Sequence, residues 1–399
     1  MFLTHLSLTN FRNYTRLELD LPARVNVFQG ENAQGKTNLL EAVYYLATTR
    51  SPLASHDREL IHWAAEREVI PHCQVDGAFT RAGAAHTLAY TLVKERANGA
   101  PAAQAVFRRQ IRVDGVPRRA MDVVGQLNVV LFLPEDIRLV AGAPAERRRY
   151  LDITLCQVNA EYCHTLARYN RVIEQRNALL KAIRERQARP GELSYWDEQA
   201  AQLGAYVVAE RLRAVAALAA EARRLQGALT AQQEALDLVY ATPEWPTDVP
   251  TKTPVAAGPA DPLAERLCAG LHAGLAAARA QEIARGVTLV GPHRDDLRFV
   301  LNGMDATVYA SRGQQRTIAL ALKLAEVLYM RARAGQAPVL LLDDALSELD
   351  QRRAQLLLAA VADAEQVLIT TTDLGHYDPD FLRRATLWRV AAGSVTPTA

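Results

Sequence analysis

The chain has 399 residues, of which 49% are apolar and 23% are charged. This profile is typical of a soluble globular protein of two or three domains, and it excludes a fibrous or intrinsically disordered chain. Lys and Arg number 46 against 44 for Asp and Glu, so the overall charge does not by itself indicate a nucleic-acid partner.

Neither a membrane anchor nor an export signal is evident. No apolar stretch is long enough to cross a bilayer, and the first residues lack the basic start and apolar core of a signal peptide. We therefore expect a cytoplasmic protein without membrane partners. The four cysteines form no C-x-x-C pair, which argues against a disulfide framework or a structural zinc site and predicts buried thiols.

The N-terminal third alternates between apolar and polar residues, as β-strands do. The alternation occurs around residues 6–8 and 17–21, and again at 87–93 and 111–116, where Asp114-Gly115 supplies a turn. We predict several antiparallel strands here.

A glycine-rich segment follows a further predicted strand. Residues 30–37 fit the phosphate-loop pattern G-x-x-x-x-G-K-[ST], with a predicted strand at 24–28 before them and a predicted helix at 37–47 after them. In this context backbone N–H groups surround phosphates, Lys36 reaches the β- and γ-phosphate oxygens, and Thr37 is a ligand for Mg²⁺. The predicted nucleotide contacts here are Gly30, Glu31, Asn32, Ala33, Gln34, Gly35, Lys36, Thr37 and Asn38.

The middle of the chain is predicted to be helical. Apolar residues recur at steps of three and four from 146 to 183, which indicates one long helix with a coiled-coil seam. A helix packed in a globular bundle needs the same stripe, so that alternative stays open. A second helix is predicted at 195–229.

Residues 142–189 contain ten basic and five acidic residues. Such a surplus fits either a solvated helix face or a DNA-binding surface. The first candidates for DNA contact are Arg147, Arg148 and Arg149, which could instead pair with acidic residues of the same protein.

A proline-rich stretch interrupts the helices. Six prolines lie between 243 and 262, too many for a helix or a central strand, so we predict an exposed linker or loop. Beyond it the pattern predicts a helix starting near Leu263, short strands at 287–290 and 297–301, and finally an alternation of strands and helices that indicates an α/β unit.

Two further segments contain residues that could take part in binding and hydrolysing a nucleotide. The apolar run 338–342 predicts a strand that ends at Asp343 and Asp344, at the edge where α/β sheets bind ligands. Asp343 would hold Mg²⁺ and Asp344 would orient or deprotonate the attacking water. The second segment precedes a strongly periodic helix, whose start predicts an anion contact at Ser311, Arg312, Gly313, Gln314 and Gln315.

Together these motifs carry a family resemblance. The phosphate loop, the S-x-G-Q-Q signature and the L-L-L-D-D strand followed by residues 347–350 resemble the SMC group of ABC-type ATPases, which act in DNA maintenance. Within that group the chain is similar to the RecF family of recombination mediators. The residues that carry this similarity are Leu6 to Tyr14, Gly30 to Asn38, Leu133 to Asp136, Gly291 to Asp296, and Ala310 to Arg316.

The resemblance implies a fold and a division of the chain. The fold class is α/β, an ABC-type ATPase head with mixed and antiparallel sheets and an inserted helical arm with a short coiled coil. Residues 1–140 would form the N-terminal part of the head. Residues 141–285 would form the arm, with its proline-rich segment at 241–262, and residues 286–399 the rest of the head.

The resemblance also implies a function. The protein would bind single- and double-stranded DNA at gaps, dimerise with ATP, and act with RecO and RecR to load RecA in DNA replication, repair and the SOS response. Its ATPase would be slow and stimulated by DNA, with ATP and Mg²⁺ as cofactors. The segment 311–315 would contact the ATP of the second subunit, and residues 347–350 would form a loop across the dimer interface.

Three positions depart from the wider ABC pattern. Asp344 stands where a glutamate is usual, which suggests slow hydrolysis suited to a switch. The switch histidine is replaced by hydroxyls at 370–372. A Q-loop glutamine is not evident, and the candidates to replace it are Glu135 and Asp136. A transport ATPase subunit or a nuclease-coupled SMC-type ATPase would share the main motifs. The helical insertion and N-terminal strands fit the transporter badly, and the tail after Asp373 is too short for the metal-binding carboxylates of a nuclease.

Overall fold

A computed structural model describes residues 1–95, 106–242, 262–346, 349–362 and 364–398. Most of the predicted proline-rich linker, residues 243–261, lies outside the described residues, as do Ser347 and Glu348 of the predicted interface loop. In the described part of the chain, no helix is both long enough and apolar enough to cross a membrane.

By residue contacts the chain forms two compact units, one comprising Met1–Glu135 with Met330–Ala399 and the other Asp136–Tyr329. The first unit thus draws on both ends of the chain. The second includes residues 286–329, which the sequence analysis assigned to the head. The three-segment division remains a prediction.

The first unit contains an antiparallel sheet of six strands, ordered β2-β1-β4-β5-β6-β7. Its alternating side chains bury one face against the core, as the sequence pattern predicted. Asp114 and Gly115, both with positive φ, form the predicted turn between β6 and β7. The strands are β1 (Phe2–Phe11), β2 (Tyr14–Asp20), β4 (His72–Arg81), β5 (Ala84–Glu95), β6 (Val106–Val113) and β7 (Val116–Pro117).

The second sheet of this unit has the order β15-β14-β3-β13-β12-β8, and all neighbours except β14 and β15 are parallel. Its inner strands β12 and β13 are completely buried, as expected of a parallel sheet covered on both faces. The strands are β3 (Arg24–Gln29), β8 (Val129–Phe132), β12 (Val339–Asp343), β13 (Gln366–Thr371), β14 (Thr386–Ala391) and β15 (Ser394–Pro397).

One apolar core joins residues of both sheets and of the helix that follows the phosphate loop. The helices of this unit are α1 (Lys36–Thr48), α2 (Ala120–Val123), α10 (Gln351–Ala362) and α11 (Pro379–Arg383). The carboxyl ends of β3, β12 and β13 therefore lie side by side at one edge of the parallel sheet.

The second unit is built on long helices and a small antiparallel sheet. The helices α5, α6 and α7, called the arm below, pack against one another. The unit contains α3 (Ile137–Ala141), α4 (Pro144–Val158), α5 (Ala160–Arg184), α6 (Leu193–Leu229), α7 (Pro262–Arg285), α8 (Ala306–Tyr309) and the start of α9 (Arg312–Ala334), with strands β9 (Leu236–Ala241), β10 (Asp296–Leu301) and β11 (Met304–Asp305).

Two predictions about this unit are wrong. The single helix expected at 146–183 is interrupted at Asn159, whose extended backbone (φ −144°, ψ 99°) separates α4 from α5. The Asn159 side chain accepts the backbone N–H of Tyr162 and thereby caps α5. Residues 287–290 form no strand, because Asn177 and Glu282 side chains take the backbone N–H groups of Thr288 and Leu289.

The cysteines are free thiols. Cys73 and Cys163 are buried as predicted, whereas Cys156 and Cys268 are half-buried.

Candidate nucleotide-binding site

The phosphate loop connects β3 to α1 at the carboxyl edge of the parallel sheet, as predicted. Gly35 has φ +114°, and a Cβ there would lie 2.6 Å from the Asn13 side chain. A Cβ on Gly30 would lie 2.3 Å from the Val390 carbonyl oxygen. Both positions therefore need glycine, one for its backbone angle and both for lack of space.

Neighbouring turns fix the shape of this loop. Asn13 donates a hydrogen bond to the Gln34 carbonyl at 2.9 Å, and Tyr14 donates one to the Gly35 carbonyl at 3.0 Å. From the other side, the backbone N–H groups of Ala392 and Gly393 donate to Gln34. In the sequence, Asn13 and Tyr14 belong to the motif shared with the RecF family, but their contact with the loop was not predicted.

Lys36 occupies the interior of the loop. Its Nζ donates hydrogen bonds to the carbonyl oxygens of Gly30 and Glu31, both at 2.8 Å. Burial lowers the pKa of Lys36, while the carboxylates of Asp344 and Asp343 act in the opposite direction. The structure thus places the loop lysine close to both carboxylates at the end of β12.

Thr37 and Asp343, 306 residues apart in sequence, are in direct contact. The Thr37 hydroxyl lies 3.0 Å from Oδ1 and 2.8 Å from Oδ2 of Asp343. Burial raises the pKa of Asp343, and hydrogen bonds from Thr370 and Thr37 oppose that shift. Glu135 is close enough to raise this pKa as well, so one of the two residues proposed in place of a Q-loop glutamine lies near the site.

A hydroxyl and a carboxylate of this kind fit Mg²⁺, which prefers oxygen ligands and keeps several positions for water and substrate phosphates. Among the described residues, no group of three or more His, Cys, Asp or Glu side chains could hold a metal.

Thr370 links the Asp343 carboxylate to the backbone of Asp344, a role that the sequence did not reveal. Its hydroxyl donates to Oδ1 of Asp343 at 2.6 Å and accepts the backbone N–H of Asp344 at 3.1 Å. Asp344 has φ +47°, a left-handed conformation that is uncommon for a residue other than glycine. Of the three threonines proposed to replace the switch histidine, Thr370 and Thr371 are buried, and only Thr372 is exposed.

The predicted signature segment lies in the second unit, at the start of α9. Ser311 and Gln314 cap the helix reciprocally, because the Gln314 side chain accepts the Ser311 N–H at 2.8 Å and the Ser311 hydroxyl accepts the Gln314 N–H at 3.3 Å. Ser311, Arg312 and Gly313 are exposed. The nearest atom to a Cβ on Gly313 would be 4.0 Å away, so this helix start is open to a ligand.

The arginines predicted to contact DNA occupy different environments. Arg147 is 4% exposed and forms two hydrogen bonds with the Asp296 carboxylate, at 2.8 and 2.9 Å. Arg148 is half-buried and donates to the Asp295 carbonyl at 2.8 Å. Arg147 therefore follows the alternative of an internal ion pair, because its guanidinium is held inside the protein. Arg149 is exposed.

At the predicted interface loop, the structure describes Leu349 and Asp350. The Asp350 carboxylate accepts the backbone N–H of Arg353 at 2.9 Å, so it caps α10.

Comparison with known proteins places these features in a family. Residues 2–379 match the model of the RecF/RecN/SMC N terminal domain. The chain is 47% identical over 404 residues to the DNA replication and repair protein RecF of Chloroflexus aurantiacus, covering 99% of both chains. It is 36% identical over 398 residues to that of Bacillus subtilis, covering 99% of this chain and 100% of the relative.

Solved structures agree in fold. A structure of the recombination mediator protein RecF with ATP, from the RecFOR pathway, superposes with a TM-score of 0.84 at 29% identity over 100% of this chain and 98% of that one. An SMC head bound to the C-terminal winged-helix domain of ScpA reaches a TM-score of 0.52 at 14% identity, covering 100% of this chain and 97% of that one, a likeness of fold alone.

Proposed function

The chain belongs to the RecF/RecN/SMC N-terminal domain family, and from this premise we propose that it is an ATP-dependent DNA-binding recombination mediator of DNA replication and repair. The observation that supports the proposal is the contact between Thr37 and Asp343 beside Lys36, since it brings together, from opposite ends of the chain, the side chains that a nucleotide site would need.

Each residue of this site has a proposed role. The backbone N–H groups of residues 30–37 surround the phosphates, and Lys36 leaves its two carbonyl partners to bind β- and γ-phosphate oxygens. Thr37 and Asp343 hold Mg²⁺, which when bound neutralises charge on the phosphates. Asp344 orients or deprotonates the attacking water, and its short side chain makes hydrolysis slow.

ATP acts through a homodimer. In the proposed dimer, residues 311–315 of one subunit contact the nucleotide held by Lys36 of the other. The γ-phosphate then lies between the start of α1 in one subunit and the start of α9 in its partner. Hydrolysis then weakens the dimer and its hold on DNA. RecO and RecR are the proposed protein partners, in line with the RecFOR pathway of the solved relative, and the loading of RecA at gaps is the proposed outcome.

A direct test measures DNA binding and hydrolysis together. We expect the wild-type protein to bind gapped DNA more tightly with ATP than with ADP, and to hydrolyse ATP faster when DNA is present. The Lys36→Met protein should bind DNA equally with either nucleotide. A wild-type protein that binds DNA without regard to nucleotide, and whose ATPase does not respond to DNA, would contradict the proposal.

A further inference from the structure

Of the basic side chains in residues 142–189, the structure buries some and exposes others. Arg147 and Arg176 are buried in ion pairs, Arg176 with Asp197 and Glu282. These two cations serve the interior and are unavailable to a ligand. The exposed cations of the same stretch lie mainly on α5 and just beyond it.

Five exposed cations lie at the ends of α5 and α7 and in the connection that follows α5, and we call them the arm-end cluster. Gly286, directly after α7, approaches α5 so closely that a Cβ there would lie 3.1 Å from the Arg184 guanidinium and 3.1 Å from the Lys181 side chain. Arg184 also donates to the Arg285 carbonyl at 3.4 Å. The members of the cluster are Lys181, Arg184, Arg186, Arg189 and Arg285.

An apolar cluster fixes the base of this surface. Leu180, Ile183 and Leu193 are buried together, and Ile283 of α7 packs against them. The last turn of α5, the connection to α6 and the end of α7 are thereby held in one arrangement. The cations project from a packed end of the arm rather than from a loose loop.

Acidic residues offset only part of this charge. Glu185 lies 3.8 Å from Arg184, and both side chains are about half exposed, so the pair contributes little. The Glu192 carboxylate accepts the backbone N–H of Arg189 rather than a guanidinium.

Helix termini explain some of these residues but not all. Lys181, Arg184 and Arg285 lie in the last turns of their helices, where cations complement the helix dipole. Arg186 and Arg189 lie beyond the end of α5 and are exposed. Their charge therefore enlarges the cluster without an evident structural need.

We propose that the arm-end cluster is a contact surface for the phosphodiester backbone of DNA, an inference that rests on the DNA-binding function proposed above. Clustered Lys and Arg side chains bind phosphates through charge and release counterions, without regard to base sequence. The proposed contact therefore lies at the end of α5 rather than at Arg147 of α4, which is buried in an ion pair.

The test compares two double variants with the same change in charge. Arg186→Ala/Arg189→Ala removes two cations of the cluster, and Arg168→Ala/Arg171→Ala removes two exposed arginines from the middle of α5. Affinity for duplex and single-stranded DNA of equal length is measured in the full-length protein with ATP across a salt series. Binding of a fluorescent ATP analogue and the thermal midpoint check that each variant is folded.

The cluster variant should lose two phosphate contacts. The slope of log affinity against log salt should become less steep by about 1.8 on duplex or about 1.4 on single strands. Near 0.1 M salt, the affinity of the cluster variant for duplex DNA should be lower than that of the wild type by up to roughly sixty-fold. The affinities of the two proteins should become equal as the salt concentration approaches about 1 M. The Arg186→Lys/Arg189→Lys protein should keep the wild-type slope, because phosphate contact requires charge rather than a guanidinium.

The outcomes of this experiment distinguish failure of the proposed surface from failure of the proposed function. A change on one type of DNA alone supports the surface and identifies that form as its ligand. Equal effects from the cluster variant and the α5 control, or no effect from either, would overturn the inference and leave general DNA binding intact. If the wild-type protein binds neither DNA, the proposed function itself fails.

Discussion

At the scale of single residues, Thr370 contacts both Asp343, the proposed metal ligand, and Asp344, the proposed base. Its hydroxyl bonds to the Asp343 side chain and to the Asp344 backbone at the same time. Because Asp344 has a left-handed backbone, this hydrogen bond helps to hold a conformation that costs energy. Thr370 is thus a positioning residue for the proposed reaction.

Replacing Thr370 by Val keeps the shape of the side chain but removes its donor and acceptor. We expect the Mg²⁺ concentration needed for half-maximal ATP binding to rise about tenfold, because a hydrogen bond to a charged group contributes about 1.5–3 kcal/mol. A magnesium titration of fluorescent ATP-analogue binding measures this directly. Thr370→Ser should restore the wild-type value, and equal magnesium dependence in the Val and wild-type proteins would refute the role.

The Lys36→Arg protein tests the loop itself. The Lys36 ammonium fits between two carbonyl oxygens at 2.8 Å, a space for a compact cation rather than a planar guanidinium. We expect strongly impaired hydrolysis, by about a hundredfold or more, with part of the nucleotide affinity retained. Steady-state ATPase rates and ATP-analogue binding separate the two effects. Undiminished turnover would rule out the assigned role of Lys36.

The local residue pattern predicts the phosphate loop because glycine spacing, lysine and threonine all act within one short segment. It cannot predict Asn13 or Thr370 as partners of that site, since their contacts arise from strand neighbours that are distant in sequence. The sequence left two alternatives open for Arg147, DNA contact or an internal ion pair, for the same reason, because its partner Asp296 is 149 residues away.

At the scale of elements, the segment 291–296 fastens the arm to the rest of its unit. Gly291 has φ +129°, and a Cβ there would lie 2.4 Å from the Tyr169 hydroxyl of α5. The carbonyl of Pro292 accepts a hydrogen bond from the buried Arg211 of α6, and Asp296 pairs with Arg147 of α4. A motif first noted for its family resemblance therefore has a structural role of its own.

His293 makes this segment sensitive to acid. Burial lowers its pKa from 6.5 to about 4, and neighbouring arginines act in the same direction. The neutral ring is well bonded, since its Nδ1 accepts from the Tyr169 hydroxyl at 2.7 Å and its Nε2 donates to the Thr288 carbonyl at 3.2 Å. The folded state thus favours a neutral histidine, whereas the unfolded chain protonates it near pH 6.5.

The stability contributed by neutral His293 is therefore present above pH 6.5 and lost as the pH falls toward 4. At pH 5 we expect a loss of about 2 kcal/mol in the free energy of unfolding from this group. Urea unfolding at several pH values measures it, with His293→Gln as the comparison. The Gln protein should lose less stability between pH 7.5 and pH 5, and identical pH dependence in both proteins would exclude this contribution.

The spacing of apolar residues predicted most helices and strands, because each of them buries one face at a regular interval along the sequence. It missed the break at Asn159 because the apolar steps of three and four continue from α4 into α5, while the break depends on one side-chain cap. It also predicted a strand at 287–290, where the backbone N–H groups of Thr288 and Leu289 instead donate to side chains of α5 and α7.

At the scale of the whole molecule, the first unit is formed by both ends of the chain, and the second contains the signature segment. The order of the motifs along the sequence indicated that the two ends assemble, because the loop and the aspartate strand are parts of one kind of site. Sequence does not fix where the units divide, since that depends on contacts distributed over the entire chain.

The proposed dimer makes a prediction that only the assembled molecule can test. Lys36→Met should disable the phosphate loop, and Ser311→Arg should disable the signature segment 311–315. A homodimer of either variant therefore has two defective sites. In a mixed dimer with sites shared between subunits, one site carries both lesions and the other carries neither. ATP hydrolysis should therefore partly return on mixing, toward about a quarter of the wild-type rate if subunits exchange at random and sites act independently.

Mass measurement with ATP must show that the mixed dimers form, and the two proteins mixed without subunit exchange supply the baseline. If mixed dimers form and the ATPase rate stays at that baseline, either each site lies within one chain or the two sites hydrolyse ATP only when both are intact. A second mixture, of Lys36→Met with wild type, separates these cases. Mixed dimers with one intact shared site should retain about half of the wild-type rate if the sites are independent, and almost none if they are coupled.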